Sequence, residues 1–132
     1  MATNVYPSFL TNVLLGRFGN MTTGTLKCAA VSSAYTYDST DTSLDDISAN
    51  VLGSVTLTSV TAALGELDVG NFTFTGIASG TAASLIYYLD SGTASTSYLI
   101  AYDSSATNLP YTFSGVNVLV TAPSYLLKLT AV

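Results

Sequence analysis

The chain has 132 residues, a length that suits one domain around one core, and its eight carboxylates outnumber three cations for a net charge of −5. Those cations, Arg17, Lys27 and Lys128, are scattered, so no basic stripe exists to displace counterions from a phosphate backbone, and nucleic acid is excluded as an expected partner. Histidine is absent, which removes the Ser-His and Cys-His nucleophile pairs and the commonest transition-metal ligand together.

The opening text "MATNVYPSFLTNVLLGRF" has no basic start, no continuous apolar core and no small-residue cleavage site, so it does not read as a signal peptide. No apolar run reaches the ~20 residues needed to cross a bilayer, and synthesis and use in a cytoplasm, away from membranes, is the expectation. Residues 1–20 are read as an N-terminal arm and helix. Pro7 suits a first helical turn, and Phe9, Leu10, Val13, Leu14 and Phe18 recur as one apolar stripe. Gly16, Gly19 and Asn20 end it. The stripe is expected to plug the end of the core, with docking on a neighbouring subunit as the alternative.

The run "TLKCAAVSSAYT" predicts a strand over residues 25–32. Cys28 is the only cysteine, so it forms no internal disulfide and reads as a small buried residue. The polar loop "YDSTDTS" follows, and Ser43 is placed to cap a brief helical turn with Asp45 and Asp46 where the helix dipole favours negative charge. Asp38, Asp41, Asp45 and Asp46 lack the D-x-[DN]-x-[DN]-G spacing of a calcium loop, so no metal is assigned.

From Val51 onward the text is strand-like and punctuated by Gly and Pro: "SVTLTSVTAAL", "NFTFTGIA", "YTFSG", "VNVLVTA" and "SYLLKLTAV". Val55 and Leu57 alternate with Thr56 and Thr58, which predicts one wet face. Residues 83–105, "ASLIYYLDSGTASTSYLIAYDSS", form a hairpin of another kind. Leu85, Tyr87 and Leu89 point one way and Ile86 and Tyr88 the other, while Tyr98, Ile100 and Tyr102 oppose Leu99 and Ala101. Both faces are apolar and both need a cover. The fold class expected is all-β: an antiparallel β-sandwich, jelly-roll-like with an immunoglobulin-like runner-up, carrying one short N-terminal α-helix in a single domain over 1–132.

Catalytic chemistry is sparse. Asp90 in "LDSG" and Asp103 in "YDSS" read as turn formers. Glu66 and Asp68 in "GELDVG" share a strand side, a weak paired-carboxylate hydrolase signal without a partner acid. No phosphate-binding glycine loop is present, and neither an enzyme nor a cofactor is expected. Nine tyrosines suit cores and protein interfaces, with a carbohydrate-binding module as the alternative. Charged residues make up only 8% of the chain where about 25% is usual, and a surface this neutral predicts life against another protein.

The runs "YPSFLTNVLLG", "GTLKCAAVSSAYTYDSTDTSLDDI", "LIYYLDSGTASTSYLIAYDS" and "PYTFSGVNVLVTAPSYLLKLTAV" together resemble a family of small tailed-bacteriophage virion proteins. Its pattern pairs a short N-terminal helix, a Lys-x-x-Leu-Val-x-Ser-Ala-Tyr-Thr-like segment, an acidic "L-x-D-I" segment and a Tyr-rich hairpin ending in "LIAYxD"-like text. Cys28 and Ala30 replace larger aliphatics of that pattern, and residues 61–80 match it least. The resemblance implies a capsid decoration or cement protein on the virion surface, with the major capsid protein and further copies of itself, as a dimer or trimer, for partners. A tail, baseplate or fibre component is the alternative it leaves open. The interface residues expected on this reading are Phe9, Leu14, Tyr35, Tyr37, Ile86, Tyr88 and Leu99.

Overall fold

The structure, a computed structural model, describes residues 4–130; the first three residues of the expected N-terminal arm lie outside the described residues. The all-β expectation holds, with antiparallel sheets throughout. Eleven strands are described: β1 (Asn4–Val5), β2 (Leu26–Ser32), β3 (Val51–Thr56), β4 (Thr61–Ala63), β5 (Glu66–Asp68), β6 (Phe72–Phe74), β7 (Gly80–Leu89), β8 (Leu99–Asp103), β9 (Tyr111–Phe113), β10 (Val118–Val120) and β11 (Leu127–Lys128).

Six of these form the main sheet, in the order β1-β8-β7-β2-β3 with β9 also on β7. The centre is β7, where Leu85, Ile86, Tyr87, Tyr88 and Leu89 follow one another without a polar break because each face is covered. Cys28 lies opposite Tyr87 across β2, and Tyr87 lies opposite Ala101 across β8. On that face the two-stranded sheet β6–β10 stacks, with Phe72 edge-on to Tyr87 at 6.3 Å and Phe74 edge-on to Phe113 at 5.8 Å. Such geometry aims ring edges at ring faces. On the other face, Tyr102 is covered by Tyr37 at 5.2 Å and Tyr35 at 6.1 Å, both from the loop after β2. A third sheet, β11-β5-β4, contributes Leu67 and Leu127 to the one apolar core that links the parts.

Two short helices are present, one more than the fold class named. The first, α1 (Pro7–Leu14), starts at the expected proline. It stops where the Gly16 amide donates to the Val13 carbonyl at 3.0 Å and the Arg17 amide to the Asn12 carbonyl at 2.9 Å. These crossed bonds need a left-handed residue at Gly16, whose φ is 71°, so glycine fixes the stop. The second, α2 (Leu44–Ile47), is the turn expected after Ser43; the Asp46 carboxylate accepts the Thr42 amide at 2.7 Å and the Ser43 amide at 3.1 Å. Ile47 then drops into the core.

The stripe expected to plug the core is a correction. Only Phe9 and Asn12 of α1 are buried, with Phe18 beyond its end edge-on to Phe9 at 4.9 Å. Leu10, Val13 and Leu14 face outward. Asn12 tolerates burial because the Arg17 guanidinium donates to its Oδ1 at 2.9 Å.

Candidate interaction surface

Phe9 and Val13 of α1 line a groove. Residues 61–68 form a hairpin in which Ala63 pairs with Glu66, leaving Leu64 and Gly65 as a two-residue turn. Both have positive φ, 54° and 80°, as a right-twisted hairpin requires. Gly65 is the expected residue there, since a Cβ would run into the Leu129 carbonyl. Leu64 is not. Leucine in the left-handed region costs about 1–2 kcal/mol, and this one is also 96% exposed.

Between that turn and α1 lies a cavity of about 410 Å³, walled by Phe9, Val13, Met21, Ala62, Leu64, Leu127 and Leu129 among others. β11 holds the far wall in place: Lys128 pairs with Glu66 in register, and the Leu129 amide donates to the Gly65 carbonyl at 2.8 Å. Leu14, next in the chain to the lining residue Val13, is 88% exposed, and Leu10, Leu15 and Leu129 are roughly half exposed. The nearest charges are already paired, Lys128 to Glu66 at 3.0 Å. Arg17 is bound to Asn12 and lies 5.7 Å over the Tyr98 ring. The groove is therefore mostly apolar, with Asn20, Thr22 and the paired Glu66 as its polar lining.

Of the expected interface residues, the structure places Phe9, Ile86, Tyr88 and Leu99 inside the chain, at 3% exposure or less. This corrects the interface assignment for those four. Their apolar outward faces are met by the chain's own second layer and by the loop after β2, so no partner is needed to cover them. Tyr35 and Tyr37 are half-buried on Tyr102. The Tyr35 hydroxyl donates to Asp41 Oδ2 at 2.8 Å and sits 2.8 Å from the Tyr6 hydroxyl. Burial pushes the Tyr35 phenol up to about 12 and the Tyr6 phenol further still. Burial likewise raises Asp41. Leu14 alone of the seven is broadly exposed.

Leu64, Met21 and Leu129 line the groove without standing among the residues the sequence singles out. The signal was present in "AALGEL", where an apolar residue stands just before a turn glycine, although strand texts commonly end that way.

The carboxylates that can be followed are engaged in structure. Asp90 pairs with Lys27 at 2.9 Å and accepts the Gly92 amide, and Asp103 accepts the Ser105 amide at 2.8 Å, the turn roles expected of both. Glu66 is tied to Lys128, and Asp68 keeps one buried oxygen without a hydrogen-bond partner. No group of three or more potential metal-ligating side chains occurs among the described residues, and no described helix is long and apolar enough to cross a membrane.

No family model, curated protein or solved structure matches this chain.

Proposed function

We propose that the chain is a non-enzymatic structural protein that adheres to a neighbouring protein through the groove between α1 and the β4–β5 turn. The observation that carries this reading is Leu64, an apolar side chain held 96% exposed in a left-handed turn position. Two separate costs fall on that residue, and no contact within the chain offsets either. Strain retained at an exposed site is the mark of a residue kept for contact with something else. The leucines around it extend the same surface.

With the sequence's resemblance to small tailed-phage virion proteins, the neighbour proposed is the major capsid protein, and the role is decoration of the virion shell. The low charge of the chain supports this reading, because a lattice-bound protein has less need of like-charge repulsion to stay dispersed. Electron cryomicroscopy of the assembled particle tests it. Copies at regular shell positions, with Leu14 and Leu64 at the contact, are expected; copies confined to the tail, or none on the particle, overturn the decoration role.

A further inference from the structure

Of the three cations, Lys27 and Lys128 are matched with carboxylates at 2.9 and 3.0 Å, and Arg17 has no carboxylate among the described residues. It lines a pocket of about 360 Å³ together with Ser8, Thr11, Asn12, Thr42 and Tyr98. No residue lines both this pocket and the apolar groove. The Arg17 guanidinium is held in place: it lies 5.7 Å over the Tyr98 ring and donates through Nη1 to Asn12 Oδ1 at 2.9 Å. An aromatic face and one fixed hydrogen bond position the planar fork. Its remaining side-chain N–H groups have no acceptor among the described residues.

Asn12 is 4% exposed, and because arginine only donates, its amide oxygen must face Arg17. The Nδ2 hydrogens are then left without an acceptor among the described residues. They are not sealed in: the enclosed side-chain orphans of the described residues are an Asp68 oxygen and the Tyr87 hydroxyl. The open space that Asn12 borders is this pocket. Polar groups on buried residues are normally satisfied, so an acceptor arriving there is favoured. Thr11, which is exposed, adds a hydroxyl with no partner among the described residues. The other two hydroxyls of the wall that donate are already engaged, Ser8 with the Asp41 carbonyl at 3.0 Å and Thr42 with Asp46 Oδ2 at 3.2 Å. No carboxylate lines the pocket. Asp41 and Asp46, close in the chain to Thr42, are turned to the Tyr35 hydroxyl and to the amides of Thr42 and Ser43. Donors without acceptors call for an anion. Those acids and the net charge of −5 oppose a dianion, and a planar fork fits a planar acceptor.

We infer that this pocket binds a single carboxylate group, with Arg17 bonding it through its fork and the Asn12 amide and Thr11 hydroxyl donating to its oxygens. The site stands or falls independently of the apolar groove. The carboxylate belongs either to a small free acid or to a Glu or Asp side chain of an acidic peptide, which present the same group.

The test is a nuclear magnetic resonance titration of the whole chain, at neutral pH and constant ionic strength, with sodium acetate, with the peptide acetyl-Gly-Glu-Gly-amide and with its Gln counterpart. Saturable shifts of the Arg17 Nε and Asn12 Nδ2 proton signals are expected with acetate or the Glu peptide and not with the Gln peptide. Tighter binding of the Glu peptide than of acetate assigns an acidic segment, and equal or weaker binding assigns a free acid. Arg17→Gln is expected to weaken binding about tenfold or more, the effect of removing a charged partner. Because Arg17 also supports Asn12, a second variant removes one exposed hydroxyl only. Thr11→Val is expected to weaken binding about threefold with an unchanged melting temperature. The inference is overturned by the absence of saturation with both carboxylates, by equal shifts with the Gln peptide or with sodium chloride alone, or by equal affinity of both variants and the parent.

Discussion

Leu64 illustrates how one side chain can oppose its own fold. Asparagine is at home in the first position of such a turn and leucine is not. Leu64→Asn is therefore expected to stabilise the isolated chain by about 1 kcal/mol in urea denaturation while weakening attachment to the partner surface. A variant that gains neither stability nor loses attachment removes Leu64 from the proposed contact. Tyrosines give a second readout at this scale. Burial raises Tyr6, Tyr35, Tyr87 and Tyr88, so the folded chain holds these phenols neutral above the ordinary value near 10. For an acid whose folded value is raised, stability is complete below the unfolded value and is lost as pH climbs toward the folded one. Ultraviolet titration of the nine tyrosines should show a late group that ionises only with unfolding. One smooth transition near pH 10 contradicts that burial.

At the level of elements, the sequence disclosed where segments begin and end better than which way they face. Pro7, the Gly16 stop, the Ser43 turn and the apolar hairpin all carry local chemistry that can be read without knowing the neighbours. The facing of α1 cannot, because Phe9 and Asn12 are buried by the layers around them while an apparently better stripe of leucines stays outside. The cover on the hairpin was equally illegible. Tyr35 and Tyr37 supply part of it from the start of a segment, residues 37–43 of which read as polar loop, whose apolar residues follow no period. Substitutions separate the two classes. Leu14→Asp should change stability by less than about 0.5 kcal/mol, since the side chain is already in water. Tyr88→Asp and Leu99→Asp should abolish folding by circular dichroism, because each buries an unpaired charge. A folded Leu99→Asp variant that merely changes its oligomeric state would restore the interface first expected there.

For the whole molecule, scarcity of charge makes each ion count. The Asp90 carboxyl is held below its usual range by its hydrogen bond with Lys27 and by the Gly92 amide, and Asp46 by the Thr42 and Ser43 amides. Their stabilisation is present above the unfolded carboxylate values and lost as pH falls through the lowered ones, so acid should weaken the fold as the pH drops below the ordinary carboxylate range. Lys27, raised by the same hydrogen bond to Asp90, adds stability below its unfolded value that fades in alkali. Asp90→Asn should flatten the acid limb of a stability–pH curve measured by denaturation. Attachment through the groove should respond differently. With Glu66 the one charged residue in its walls and that one paired to Lys128, it is expected to survive high sodium chloride and to strengthen in sulfate. A steep loss of binding with sodium chloride would point to an ionic surface elsewhere.

The placing of β7 at the middle of the main sheet has a consequence for biosynthesis. β2 can meet β3 soon after both leave the ribosome, but its other edge waits for residues 82–89, and β1 waits for residues 101–102. Until then an oily N-terminal segment stands with an unfinished edge, the condition in which nascent chains stick to one another. Translation pauses before β8 would prolong that exposure, and slow synthesis should lower the yield of soluble product more than it would for a protein whose strands pair in order.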